Sequence, residues 1–286
     1  MRGSRIQGPC SQRGTAVIIA LLVVALAAAA AAAMLERQDL QARALQAQRD
    51  YEQARWMLRG GMHWARSILA ADARAGTTDH LRELWASGLP PTEVQLGSLA
   101  GEVRDEQGRF NLNNVVRSGK PYPPQVAALE RLLAAIGLAP DLAGAIAGAI
   151  AASGPLVDIG ELAGVRGLSA EALGRLQRYA TALPRPTPVN VNTAPAEVLA
   201  ALVQGLATSD AQAMARRLAA QPVRTPNEFQ AALRPGLTLD LNDISAASQF
   251  FVVYGRAKVG GADLRMQALL QRAGTALPSI VWQRTS

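Results

Sequence analysis

Few side chains in this 286-residue chain are equipped for bond-making chemistry. It has one cysteine, Cys10, and two histidines, His63 and His80, in unlike surroundings. Nucleophilic catalysis needs a base placed against the nucleophile, and a zinc site needs three or four nitrogen or sulfur donors. Two unrelated histidines satisfy neither requirement. No Gly-x-Ser-x-Gly elbow, Walker-type phosphate loop or His-Glu-x-x-His pair occurs. The residue types point away from an enzyme, with paired carboxylates the only catalytic parts left open. The clearest chemistry in the sequence is chemistry done to it. Two places suit a processing peptidase: the small residues Ala31-Ala32-Ala33, and the step between Gln12-Arg13-Gly14 and Thr15.

Both cuts border one element. From Thr15 to Leu35 no residue is charged, and Val17 to Leu26 is strongly apolar. About 21 residues at ~1.5 Å each make a helix of roughly 30 Å, the thickness of a bilayer's hydrocarbon core. Arg2, Arg5 and Arg13 stand before it with no acidic residue. That flank is expected to stay in the cytoplasm and the bulk of the chain to be exported, giving a single-pass protein. A cut behind the alanines would discard the helix as a signal peptide. Yet the run continues without a turn through Glu36-Arg37-Gln38-Asp39 to Trp64 with no proline. A discarded signal needs no such extension, so the cut before Thr15, which keeps the helix, is favoured. It also removes Cys10 and leaves an exported domain that packing alone must hold.

Hydrophobic residues make up 49% of the chain but aromatic ones only 4%; much of the difference is alanine, which favours helix. Formal charge is +7, from 29 basic and 22 acidic residues. Three of the basic ones precede Thr15, so the remaining excess is mild and argues only weakly for a polyanionic partner. Leu58, Met62, Ala65 and Leu69 fall on one helical face. Gly60-Gly61 is expected to bend the helix, and Trp56 and Trp64 to pack against the domain it carries. After a connector with a helical turn at Leu81–Trp85, alternation about Asp105-Glu106-Gln107-Gly108 suggests a β-hairpin from Leu99 to Val116. Short helices are expected at Pro124–Ile136, Asp141–Ala151, Ile159–Gly164, Ser169–Thr181, Ala194–Val203 and Asp210–Ala219. Strand character returns at Gln249–Val259, Leu264–Leu269 and Ile280–Trp282. The expected class is α+β: a long N-terminal helix and a small antiparallel sheet, interrupted by an all-α insertion. The units are a leader (1–14), the membrane and spine helix (15–75), a connector with the first hairpin (76–120), the insertion (121–220) and the C-terminal strands (221–286).

Several stretches, in this order, resemble the minor pseudopilin K family of type II secretion. They are Gln12-Arg13-Gly14-Thr15-Ala16-Val17-Ile18, Trp56–Asp72, Gly108-Arg109-Phe110-Asn111-Leu112-Asn113, Glu161-Leu162 to Leu168 with Leu183-Pro184, Val189-Asn190-Val191-Asn192-Thr193-Ala194, and Phe251–Lys258. The resemblance makes the membrane a bacterial inner membrane and the exported C-terminal part periplasmic. It implies a pilin-like frame, recognition of Gly14 by a prepilin peptidase, and Thr15 as a methylated N-terminus. It also implies a place at the tip of the pseudopilus with I- and J-type minor pseudopilins above the major pseudopilin. Major pilins carry Glu five residues after the cut, where it is thought to neutralise the amine of the preceding subunit. Here that position is Ile19. A subunit with no predecessor has no amine to meet, and an unpaired carboxylate in a bilayer is costly. The bulky insertion is expected to block stacking of a further copy above. Family members also carry an acidic loop associated with calcium. This chain has Ala147–Pro155 instead, leaving Asp158 and Glu161 as weak candidates where calcium wants six to eight oxygens. Asp240-Leu241-Asn242-Asp243 is expected to cap or turn, and no cofactor is assigned.

A second reading comes from Leu162–Leu173, which resembles a helix-hairpin-helix. In DNA-binding versions the glycine turn and the next helix N-terminus hold a phosphate, and Arg166, Arg175 and Arg178 would assist. A membrane-anchored DNA-uptake protein follows from that reading. The modest charge and lack of a dense basic patch weigh against nucleic acid as a partner.

Overall fold

Alanine-rich sequence with no proline between Pro9 and Pro90 forms a single helix, α1 (Gln12–Ala75). The computed structural model describes residues 12–286. Arg2, Arg5 and Cys10 lie outside the described residues, and Gly14 is described only as helix backbone. At about 1.5 Å per residue, the 64 residues of α1 span roughly 96 Å. The helix runs uninterrupted through Gly60-Gly61. Burial among its described residues begins at Asp50, whose carboxylate accepts from Gly261 N at 3.1 Å. From there Ala54, Leu58, Met62, Ala65 and Leu69 are buried as one stripe. The expectation for the tryptophans is corrected at Trp56, which is 64% exposed, while Trp64, half exposed, lines a crevice with Leu84, Trp85 and Leu99 of the carried domain. Trp56 lies two residues from both Ala54 and Leu58, so at 100° per residue it faces the opposite side. There the Arg59 guanidinium covers its ring.

The buried stripe of α1 lies against a five-stranded antiparallel sheet, in the order β1 (Leu89–Val94), β2 (Gly97–Asp105), β9 (Phe250–Val259), β10 (Ala262–Gln271), β11 (Ser279–Thr285). β1 (Leu89–Val94) and β2 (Gly97–Asp105) form its first hairpin. The expected hairpin about Asp105–Gly108 is therefore a correction. Asp105 accepts from Gln107 N and caps a 3-10 turn, Glu106–Gly108, that leads the chain out of the sheet. Gly108 serves close approach there, since a Cβ would stand 2.7 Å from Thr193 Oγ1. β3 (Phe110–Asn111) then pairs in parallel with a distant segment. The helical turn expected at Leu81–Trp85 lies instead at Leu84–Ser87.

A small ribbon, β4 (Val116–Arg117) and β5 (Lys120–Pro121), opens the helical layer. It is followed by α2 (Pro123–Ala135), α3 (Leu142–Ser153), a 3-10 helix at Ile159–Gly164, and α4 (Ala170–Leu176). The helix expected to run to Thr181 ends at Leu176, because Ala180–Thr181 (β6) is the parallel partner of β3. β7 (Val189–Asn190), α5 (Ala196–Leu202) and α6 (Thr208–Ala220) come next. α7 (Pro226–Ala231), absent from the expected helices, and β8 (Ile244–Ser245) complete the layer. One apolar cluster runs through all of it, from Phe110 to Ile244. The chain then returns as β9 (Phe250–Val259), β10 (Ala262–Gln271) and β11 (Ser279–Thr285). β9 pairs with β2 from Ser98↔Lys258 to Asp105↔Phe251, so strands from either side of the helices share one sheet.

The helical layer is built twice. Each half begins with a two-residue strand and Asn-x-Asn, and the first asparagine accepts from the second's backbone N (Asn111 from Asn113, Asn190 from Asn192, 3.1 Å each). The second asparagine clamps a residue beyond two helices through both its N and O: Asn113 holds Leu156, and Asn192 holds Val223. A capped turn follows in each, with Asp158 and Glu161 in one and Thr225 and Glu228 in the other. Each half closes with a strand parallel to its first, β6 on β3 and β8 on β7.

Candidate functional site

The first functional feature is the bare half of α1. Every residue from Thr15 to Arg49 is exposed, and its most apolar window has mean hydropathy 2.8 with none of it buried. Burying a Val, Leu or Ile side chain stabilises by about 1.5–3 kcal/mol. Leaving the large residues from Val17 to Leu26 in water would thus cost on the order of 10 kcal/mol. This length and composition suit a bilayer, and Ile19, 62% exposed, lies within it. Farther along, Trp56 adds apolar surface to the side of the helix that the sheet leaves uncovered.

The second feature is a buried polar joint where α1, the sheet and the second helical half meet. The Arg272 guanidinium, 9% exposed at the end of β10, pairs with Asp72 at 3.0 Å and with Asp79, and donates to Ser248 O at 2.7 Å. Asp79 also accepts from Ser248 N at 2.6 Å. Next to it, Asp105 Oδ2 accepts from Ser248 Oγ and Thr193 Oγ1, both at 2.6 Å, and from Asn190 Nδ2 at 2.9 Å. Burial pushes the Asp105 carboxyl up to about 6, against the opposing pull of those hydroxyl bonds. Asp72 also rises to about 6, from burial first and then the negative charges of Glu83 and Asp79, partly offset by Arg272. The carboxylates of Asp72, Asp79 and Glu83 lie within 4.8 Å of one another in the manner of a cation site. Arg272 is the cation that binds the first two, and Glu83 accepts from His80 N and Trp85 Nε1.

The carboxylates singled out by sequence have structural partners. Asp158 accepts from Gly160 N at 2.7 Å and from Arg284 at 2.8 Å, while Glu161 accepts from the backbone of Val157 and Asp158. Backbone donation, then Arg284, holds the Asp158 carboxyl below its usual range. Asp240 caps the 3-10 turn Leu241–Asp243. The hairpin at Leu162–Leu173 forms a packed corner whose Leu162, Leu168 and Leu173 are buried. Arg175 is spent on the carbonyls of Ile136 and Gly137 and on Glu171, and Arg166 and Arg178 are exposed. His63 lies on α1 and His80 beside Glu83, so the structure does not bring the two histidines together as a pair.

Asn190, Thr193, Ser248 and Arg272 are the joint residues that sequence reading missed as a group. A signal for part of the joint was available. Pro155-Leu156-Val157-Asp158-Ile159-Gly160-Glu161-Leu162 and Pro222-Val223-Arg224-Thr225-Pro226-Asn227-Glu228-Phe229 match in type at every constrained position. With the two Asn-x-Asn segments they announce the duplication.

A family model described as type II secretion system protein K matches residues 189–249, the second of the two halves. A type II secretion system protein K of Pseudomonas aeruginosa is 31% identical over 229 residues, 68% of either chain. One from Klebsiella pneumoniae is 28% identical over 306 aligned residues, covering 92% of this chain and 93% of that protein. In fold, the chain resembles one in the crystal structure of a GspK-GspI-GspJ complex from the enterotoxigenic Escherichia coli type 2 secretion system. The TM-score is 0.72 at 24% identity, covering 84% of this chain and 98% of that one. The long apolar-headed helix, the sheet closed across a helical insertion and the identity to the Pseudomonas protein lead to one conclusion: the chain belongs to the type II secretion system protein K family.

Proposed function

We propose that this protein is an anchored minor pseudopilin that starts and caps a pseudopilus serving protein export across the outer membrane. The observation that carries this reading is the continuity of α1, in which a bare apolar half passes without a break into a half packed on the sheet. Such a rod is a membrane anchor before assembly and a stem for lateral packing afterwards. A prepilin peptidase would cut between Gly14 and Thr15 and leave the new amine at Thr15 for methylation. The globular part would then lie in the periplasm, with the stem in the inner membrane.

The solved relative sits in a complex with GspI and GspJ. By analogy, I- and J-type minor pseudopilins are the partners of this chain, and the major pseudopilin follows below them. The uncovered side of α1, with Trp56, supplies surface for the neighbouring stems. The doubled helical layer, from Phe110 to Ile244, is too bulky to repeat within a helical stack of stems, so a subunit carrying it ends the fibre. Ile19 supports the same place, since a carboxylate there would have no preceding amine to neutralise it.

The test is Ile19→Glu in the full chain, with tip incorporation scored by crosslinking to the I- and J-type partners. A lone carboxylate within the apolar core costs about 2.5–3.5 kcal/mol on insertion scales, so incorporation is expected to drop at least tenfold. Unchanged incorporation would count against the charge-exclusion argument.

A further inference from the structure

The outer face of the sheet, turned away from α1, is not flat. Where it meets the first helical half it forms an open cleft of about 710 Å³, walled by Arg104, Arg109, Arg178, Arg284, Tyr254 and Trp282. That volume falls in the range of ligand-binding clefts. The cleft runs on across the sheet into a groove of about 670 Å³ that shares Tyr254, Gln267 and Arg284 with it and adds Arg256 and Arg265. Six guanidinium groups thus line one continuous surface. Arg104 and Arg284 lie over the rings of Tyr254 and Trp282 at 5.0 Å, which orients them. Four are neutralised within the chain, by Glu102, Glu106, Asp158 and Asp263. Among the described residues the side chains of Arg178 and Arg265 have no ion-pair partner. The carboxyl of Asp263 is held below its usual range by Arg256 first, with Lys258 and Arg265 adding to it.

The negative side chains are spaced among the positive ones: Glu106, 4% exposed, is held by Arg109 at 3.3 Å and accepts from Thr181 Oγ1 at 2.8 Å. We propose that the cleft and its continuation across the sheet dock an extended acidic segment of a protein partner. Its carboxylates would meet Arg178 and Arg265, and Tyr254 and Trp282 would supply apolar footing. A polyphosphate fits less well, because its charge is continuous and would lie against Glu102, Glu106, Asp158 and Asp263, whereas a peptide can space its carboxylates to meet the two unpaired guanidinium groups. This inference does not depend on the reading of the stem.

The test uses the full chain in detergent and a fluorescein-labelled peptide of alternating Glu and Gly, followed by anisotropy. Saturable binding that weakens with salt is expected, with no competition from the peptide carrying Gln for Glu. Arg178→Glu and Arg265→Glu are each expected to lower affinity about tenfold, since each replaces an attracting, solvent-exposed charge by a repelling one. Both residues are exposed, so their thermal unfolding serves as a check that the variants fold. Arg216→Glu, exposed on α6 and outside the cleft, is expected to leave affinity unchanged. Absent saturation, equal losses in all three variants, or unaltered binding in the first two would overturn the proposal. So would better displacement by a single-stranded oligonucleotide of equal charge, or by inorganic phosphate, than by unlabelled peptide.

Discussion

Arg272 holds the buried joint together, and its removal is the sharpest test of how the fold is fastened. Its guanidinium reaches the last turns of α1 through Asp72, the following segment through Asp79, and the strand entering β9 through Ser248 O. It also lies over the Phe251 ring at 4.9 Å. In Arg272→Ala, Asp79 stays 1% exposed with only the Ser248 amide to face it. Breaking a buried pair on one side costs about 3–5 kcal/mol, mostly from the stranded charge. For a chain of this size each kcal/mol lowers Tm by about 2–4 °C, so a loss of about 6–20 °C is expected. Removing both charges as Arg272→Met with Asp79→Asn leaves no stranded ion, and the double variant is expected to recover at least about a third of the loss. The assay is thermal unfolding of the full chain by circular dichroism at pH 7.5 and pH 5. Without Arg272 the carboxylates protonate more readily, so the penalty shrinks in acid. A loss under about 1 kcal/mol, or a double variant no better than Arg272→Ala, would refute the reasoning.

Two further outcomes follow from the geometry. The folded carboxyl of Asp105 titrates at about 6 against 3.8 for the ordinary group. The folded state therefore holds a proton that the unfolded state gives up between those values, and stability from this residue is lost as pH rises through that window. Urea unfolding should show wild type losing about 2 kcal/mol of stability relative to Asp105→Asn from pH 4 to pH 7; a pH-independent difference contradicts it. Trp56→Arg alters an exposed side chain and should shift stability by under about 0.5 kcal/mol. Co-purification with I- and J-type partners is nevertheless expected to weaken severalfold, and full retention would take Trp56 out of the assembly surface.

Much of the architecture could be read from residue pattern because its signals are local. The stem follows from an uncharged run joined to a proline-free amphipathic stretch, and the buried stripe Ala54 to Leu69 from 3.6-residue spacing. The C-terminal strands follow from β-rich runs broken at Gly260-Gly261, which is where β9 turns into β10. What escaped depended on partners distant in sequence. Asp105-Glu106-Gln107-Gly108 has turn composition, but its carboxylate answers to Asn190 and Thr193, and that long-range bond makes it an exit from the sheet. The two-residue strands β3 and β6 carry no periodicity and exist because the duplicated halves close on themselves. Trp56 is apolar enough for a core, yet its phase relative to Ala54 and Leu58 places it outward. Arg272 carries no motif and owes its role to three groups brought together by folding.

The proposed role as an anchored cap rests on the apolar stem remaining part of the working subunit. Edman degradation or intact mass of the protein extracted from membranes after co-expression with a prepilin peptidase tests this most directly. A methylated chain beginning at Thr15 is the expected result. A chain beginning at Met34, or elsewhere behind the alanines, would contradict it, because the subunit would then have lost its membrane anchor and the apolar half of its stem.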